Sequence, residues 1–169
     1  MQEQQHLDVA QDEQQLDVDV VRIATVRARQ DNNEFHFEGL DPSGVGVLGE
    51  IPASNGALIF AIATSMFATG KPVYYSFKKN AISTDATFGA TPSKQPDYAQ
   101  KGAITVDSID GIWPLSGTSG QLVLTLVTGP VVPVDVSEPN AFIGWLHMLK
   151  AGKVSFDGET IATEKPQEW

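Results

Sequence analysis

The feature that most constrains this fold is a stretch without a single charged side chain, residues 51–70. Such a stretch fits either a membrane-spanning helix or a helix buried in a core. Pro52 and Gly56 interrupt it, which leaves an apolar segment over 57–69. At about 1.5 Å per residue this segment spans about 20 Å, short of a hydrocarbon layer of about 30 Å. We therefore predict a buried helix over about 54–70, ended by Gly70 in the left-handed conformation.

Most other segments have the pattern of β-strands. The run that begins at Val20 is rich in β-branched residues, and its apolar phase slips midway, as a β-bulge would cause. Residues 34–38 alternate strictly and place Phe35 and Phe37 on one face. A glycine-rich strand follows over 45–51. Further strands are predicted over 73–79, 103–109, 112–115, 122–127, 131–136, 153–156 and 159–162.

A second helix is predicted near the C-terminus, with Pro139 in its first turn. Phe142, Trp145, Leu146 and Leu149 follow at the spacing of one helical face. The predicted fold class is therefore α+β, mainly β. We expect an OB-like barrel or a small sandwich with a buried helix at about 54–70 and a C-terminal helix at about 138–151.

The charge is distributed unevenly along the chain. It carries a net charge of -10, and residues 1–19 hold six of its 21 acids without a Lys or Arg. We predict an acidic, flexible arm over 1–19, a single compact domain over 20–164 and a loose tail over 165–169. The alternative is a barrel over 20–115 with a ββαββ extension over 120–164.

Three strands, a helix and two further strands over 20–115 resemble an OB-fold barrel in their order. The run 57–77, a helix followed by Gly-Lys-Pro-Val-Tyr-Tyr, is similar to that segment in the B subunits of AB5 toxins. The resemblance concerns element order, covers about half of the chain and implies a barrel. It identifies no binding residues.

Composition excludes several classes of function. Without cysteine the chain has no disulfides, thiol nucleophiles or iron–sulfur ligands. The acidic balance weighs against binding to duplex DNA, which requires neutralised phosphates. The N-terminus carries Glu3 and Asp8 where a secretory signal has basic and apolar residues, so we expect a cytoplasmic protein without a membrane span.

No catalytic constellation is evident. Residues 44–49 read Gly-Val-Gly-Val-Leu-Gly and match the dinucleotide fingerprint, but Pro52 and the lack of an acid between Glu50 and Asp85 contradict that mechanism. We interpret them as a bent strand and predict no cofactor. Ser119 lacks the G-x-S-x-G context of a nucleophile.

Two sets of residues are candidates for a site. Glu34, His36 and Glu38 share a strand face and could bind a metal. An aromatic and basic set could stack bases or contact another ligand; its members are Tyr74, Tyr75, Lys78, Lys79, Phe88, Tyr98, Arg27 and Arg29.

Our leading hypothesis is a non-enzymatic binding or assembly module that contacts a protein or glycan through the 80–102 loop and strand edges. The alternative is a single-strand nucleic-acid binder with an autoinhibitory acidic arm, and the third is a metal-dependent hydrolase. We also expect a homo-oligomer, because the apolar strands over 122–136 need covering.

Overall fold

The computed structural model describes residues 19–29, 34–51, 53–90 and 93–165. The predicted arm, apart from Asp19, and residues 166–169 of the predicted tail lie outside these ranges. Antiparallel strands dominate the described residues, which confirms the α+β, mainly β class. The chain divides into two compact units, which we describe separately. Unit 1 comprises residues 1–88 and 113–117, and unit 2 comprises 89–112 and 118–169.

Unit 1 is built on an antiparallel sheet in the order β3-β2-β1-β4-β5. A register shift between Ile23 and Thr25 confirms the predicted bulge. The sheet is open, because β3 pairs with β2 and with no other strand in the described ranges, so the OB-like barrel is not confirmed. The strands are β1 (Val20–Ala28), β2 (Phe35–Leu40), β3 (Gly46–Ile51), β4 (Tyr74–Ser76) and β5 (Ala81–Ser83).

The core of unit 1 lies between this sheet and helix α1 (Ala53–Phe67), which contacts β1 and β2. Ile59, Ile62 and Met66 are fully buried, as the predicted buried helix requires. Each such side chain contributes about 1.5–3 kcal/mol when it leaves water. The helix ends three residues earlier than the predicted boundary, and Gly70 follows with φ +83°. No helix among the described residues is long and apolar enough to span a membrane.

Unit 2 is built on a second set of antiparallel pairs in the order β8-β7-β6-β9-β10. Gly129, in the turn after Leu126, and Gly158, in the turn after Phe156, both have a positive φ. Its strands are β6 (Ile104–Pro114, of which 104–112 belong to unit 2), β7 (Gly120–Leu126), β8 (Val131–Val136), β9 (Lys153–Phe156) and β10 (Ile161–Glu164). Leu122, Leu124 and Val132, which motivated the predicted oligomer, are buried.

The predicted helix over 138–151 is two short helices. These two are α3 (Pro139–Leu146) and α4 (Met148–Ala151). A further short helix, α2 (Tyr98–Lys101), lies before β6 in the chain. His147, with φ -108° and ψ 7°, interrupts the helical backbone between α3 and α4. Of the four residues predicted to share one helical face, Phe142 and Leu146 are buried, Trp145 is half-buried and Leu149 is 37% exposed.

The strands predicted over 103–109 and 112–115 are one strand in the structure, because β6 continues through Asp110 and Gly111. Gly111 is buried, and a Cβ placed there would lie 2.7 Å from both Phe142 Cζ and Leu146 Cδ2. The glycine therefore serves the close approach of α3 to the strand.

The strand predicted over 73–79 is also shorter in the structure. It stops at Ser76, because Asp19 organises the following turn: its Oδ2 accepts hydrogen bonds from Ser76 Oγ at 2.7 Å and from the Lys78 N–H at 3.0 Å. The 80–102 segment, predicted to lack regular structure, contains β5 and α2. Short buried strands such as β5 carry no periodic signal.

Candidate functional site: the open edge of β3

The β2–β3 hairpin is closed by a turn that Asp41 organises. Asp41 Oδ1 accepts hydrogen bonds from Ser43 N at 3.0 Å, Ser43 Oγ at 2.8 Å and Val45 N at 2.9 Å. Burial raises the pKa of Asp41, but the hydrogen bonds from Val45, Ser43 and Gly44 lower it by more, so the net pKa is lowered. Gly44, at φ +89°, provides the left-handed residue that this turn requires. The register of β3 is thereby fixed.

This register determines where the backbone of β3 points. The Asp41 N–H donates to the Val45 carbonyl at 2.9 Å, and the pairing continues without a shift to Phe35 and Ile51. In an antiparallel pair, hydrogen-bonded and non-bonded positions alternate. Val47 and Gly49 therefore bond to β2. The N–H and C=O groups of Gly46, Leu48 and Glu50 point away from β2.

The opposite side of β2 agrees with this assignment. The Arg29 N–H donates to the Glu34 carbonyl at 3.0 Å, and the pairing continues in register to Glu38. By the same alternation, Glu34, His36 and Glu38 bond to β1. Phe35 and Phe37 lie between these residues, so their backbone groups bond to β3, in agreement with the register of the β2–β3 pair.

The side chains along β3 leave this edge accessible. Leu48 is 75% exposed, and Val45 just before the strand is 59% exposed. The strand contains no Pro and no Lys, two of the residues that natural proteins use to prevent edge pairing. We call this surface, the outward backbone of Gly46, Leu48 and Glu50 with the Leu48 side chain, the β3 edge.

β8, one of the two outer strands of unit 2, shows what a protected edge looks like in this chain. The N–H of Leu126, on β7, donates to the Pro130 carbonyl at 2.9 Å. By the same alternation, the backbone groups of β8 that point outward are those of Val131, Pro133 and Asp135. The Val131 carbonyl accepts a hydrogen bond from Ser93 N at 3.1 Å, and Pro133 has no N–H to offer. The β8 edge is thus partly closed, whereas no such device occurs on β3 in the described part of the chain.

A shallow depression of about 190 Å³ lies beside the β3 edge. It is lined by Arg27, His36, Phe37, Leu48, Gly49 and Glu50. Leu48 supplies an exposed apolar side chain, whereas the Phe37 ring is buried on the core face of the sheet. Arg27 is paired with Glu38 at 3.0 Å, and His36 Nε2 lies 3.2 Å from Glu34 Oε1. Within the described ranges, the Glu50 side chain forms no hydrogen bond or ion pair.

The predicted metal residues are therefore engaged with different neighbours. His36 contacts Glu34, whereas Glu38 pairs with Arg27. Among the residues that the structure describes, no group of three or more His, Asp or Glu is placed to hold a metal ion.

The aromatic and basic residues of unit 1 are dispersed. Tyr75 is buried, and its hydroxyl donates to Asn80 Oδ1 at 2.7 Å; burial raises its pKa. Phe88 is also buried, so two of the rings proposed for stacking are enclosed in the fold. Tyr74 is half-buried. The other members of the set in unit 1, Lys78, Lys79, Arg27 and Arg29, are exposed.

Tyr98 belongs to unit 2, at the start of α2. Its ring meets Phe156 edge-on at 5.6 Å. Burial, and secondarily the charge of Asp157, raise its pKa, and its hydroxyl has no hydrogen-bond partner among the described residues. Nucleic-acid binding by the aromatic and basic set stays a prediction.

The β3 edge was not among the residues predicted from sequence. The one indication of this surface in the sequence was Leu48, an apolar residue at a solvent-facing position of a strand otherwise rich in glycine. Which strand lies at the edge of a sheet depends on long-range pairing, and a single sequence does not reveal that order.

No protein-family model matches this chain, and no curated protein or solved structure is significantly similar to it.

Proposed function

We propose that this chain is a binding module that captures an extended segment of a partner protein as an added strand at the β3 edge. Strand addition uses main-chain hydrogen bonds for affinity and alternate side chains for specificity. The observation that carries the proposal is the outward backbone of Gly46, Leu48 and Glu50, left open in the described structure.

The energetics of the β3 edge favour such a partner. Three residues, each with an N–H and a C=O, offer up to six hydrogen bonds, each with a net contribution of about 0.5–1.5 kcal/mol. Covering Leu48, which is 75% exposed, adds about 1.5–3 kcal/mol at most. These contributions are enough for reversible binding of a short peptide after the ordering of that peptide is subtracted.

The exposed strand edge supports protein binding better than the 80–102 loop does. In unit 1, Ser83 Oγ donates to the Asp85 carbonyl at 2.9 Å and Phe88 is buried. In unit 2, Ser93 bonds to Val131 and Tyr98 packs on Phe156. Several of its candidate contact groups are thus engaged within their own unit. Contact with a glycan through this loop stays a prediction.

The test is a proline substitution at an outward position. Leu48→Pro removes one outward N–H and the exposed side chain but no bond to β2, so the fold should persist. The probe is a short fluorescent peptide of alternating valine and threonine, titrated while its anisotropy is followed. We expect wild type to bind and Leu48→Pro to bind more than about tenfold more weakly, a loss of about 1.4 kcal/mol or more.

Two further variants keep the test decisive. Gly46→Pro removes another outward N–H at a position where no neighbour lies within 4 Å of an added Cβ. Asp135→Pro makes the matched change on the β8 edge and should leave binding unchanged. Thermal unfolding checks that each variant is folded. A wild-type protein that binds no such peptide, or folded β3 variants that bind as well as wild type, would refute the proposal.

A further inference from the structure

The β3 edge also indicates the chemistry of its partner. We infer that the added strand carries an apolar side chain opposite Leu48 and a cationic side chain, Lys or Arg, opposite Glu50. This inference rests on the proposed function, since it specifies the ligand of the same edge.

The carboxylate of Glu50 carries a charge that is available to a partner strand. Of the charged groups that line the depression beside the edge, Arg27 is neutralised by Glu38 at 3.0 Å, and His36 contacts Glu34 at 3.2 Å. Glu50 is exposed and its side chain has no partner within the described ranges. Glu50 therefore presents to an incoming strand a negative charge that no described cation pairs with.

The spacing of Leu48 and Glu50 along β3 determines the spacing of the side chains that a partner strand needs. Leu48 and Glu50 are two residues apart and lie on the same face of the sheet, the face that carries His36 and Glu38. A residue directly opposite either one in a neighbouring strand has its Cβ about 4.5–5.5 Å away. A matching strand thus places its apolar and cationic side chains two residues apart.

An exposed apolar side chain lies next to this carboxylate. Leu48, which is 75% exposed, lines the depression beside Glu50. A Lys or Arg side chain can lay its methylene groups on such a surface while its charged end reaches a carboxylate. A short acidic or hydroxylated side chain gains neither contact.

A second copy of this chain satisfies the edge less well. Consider a symmetric antiparallel pair of two β3 strands in which the same sheet face of each copy lies on one side and Leu48 lies opposite Leu48. Gly46 of the second copy then lies opposite Glu50. This arrangement covers Leu48 with its own equivalent but leaves both Glu50 side chains without a cation. We therefore assign the edge to a basic partner segment.

The experiment compares three peptides of alternating valine and threonine that differ at one position, which is lysine, serine or glutamate. With wild type we expect the lysine peptide to bind about two- to fivefold more tightly than the serine peptide, the range of an exposed ion pair. The glutamate peptide should bind most weakly. Glu50→Gln should abolish the difference between lysine and serine while the serine peptide binds as before.

Glu138→Gln is the control. Glu138 is an exposed acid just before α3 and is not one of the residues of the β3 edge, so its substitution makes the same change in net charge. A lysine preference that survives in Glu50→Gln, or that Glu138→Gln reduces as much, would overturn the inference.

Other outcomes separate this inference from the proposed function. If all three peptides bind wild type equally, the charge preference is wrong and strand capture stands. If none binds, the proposed function fails. A wild-type dimer in sedimentation that excludes the peptides and dissociates in Leu48→Pro would assign the edge to a second copy and overturn the basic partner.

Discussion

Single residues in this chain decide how closely its elements approach one another. A Cβ at Gly111 would lie 2.7 Å from side-chain atoms of Phe142 and Leu146, and one at Gly49 would lie within 2.0 Å of the Phe37 ring. Neither glycine is at a positive φ. These positions require glycine because of space, and the local sequence gives no sign of it.

Gly111→Ala should therefore destabilise the protein by about 1–3 kcal/mol, since the added methyl group forces rearrangement of a packed core. Gly144→Ala is the matched control in α3, where no neighbour lies within 4 Å of the added Cβ. It should stabilise by up to about 1 kcal/mol through helix propensity. Urea denaturation measures both, and equal effects of the two substitutions would contradict the close packing at Gly111.

Asp41 makes the stability of unit 1 depend on pH. Its folded-state pKa lies below its ordinary value, so the ionised carboxylate stabilises the fold at neutral pH. This contribution is complete above the unfolded pKa, and it is lost as pH falls through the folded one. We expect the stability advantage of wild type over Asp41→Asn to be constant above about pH 5 and to shrink as the pH falls from about 5 to about 2. An advantage that stays constant over this range would show that the charge has no such role.

At the scale of elements, strands with a clear pattern were predictable and their partners were not. The alternation of Phe35 and Phe37 predicted β2, and the slip after Ile23 predicted the bulge in β1. β5 was not predicted, because three consecutive buried residues show no alternation. The sheet order and the edge position of β3 were not predicted either, because they depend on pairing between residues far apart in sequence.

The outer strands β3 and β8 differ for a physical reason. β8 carries Pro133, and its Val131 carbonyl is already bonded to Ser93, so little of its edge can pair. Pro133→Thr restores one outward N–H. We expect this variant to bind the valine–threonine peptide at a second, weaker site, which a doubled stoichiometry in titration calorimetry would reveal. An unchanged stoichiometry would show that the proline is not what closes this edge.

At the scale of the whole molecule, the net charge of -10 favours basic partners, and six of the acids belong to residues 1–19. Long-range attraction of this kind is screened within about 10 Å at an ionic strength of about 0.1 M. The lysine peptide should therefore bind several-fold more weakly at high than at low salt, whereas the serine peptide should change little. Equal salt dependence of the two peptides would argue against an electrostatic contribution from Glu50 and the acidic chain.

Strand capture requires that the β3 edge is open in the whole chain of 169 residues. Amide hydrogen exchange resolved by NMR tests this directly, because neighbouring residues of one strand should alternate. We predict that the amides of Gly46, Leu48 and Glu50 exchange rapidly, while those of Val47 and Gly49, bonded to β2, are protected. Addition of the lysine peptide should slow the first three. Protection of Leu48 as strong as that of Gly49 in the free protein would show that the edge is already covered, and would contradict the account.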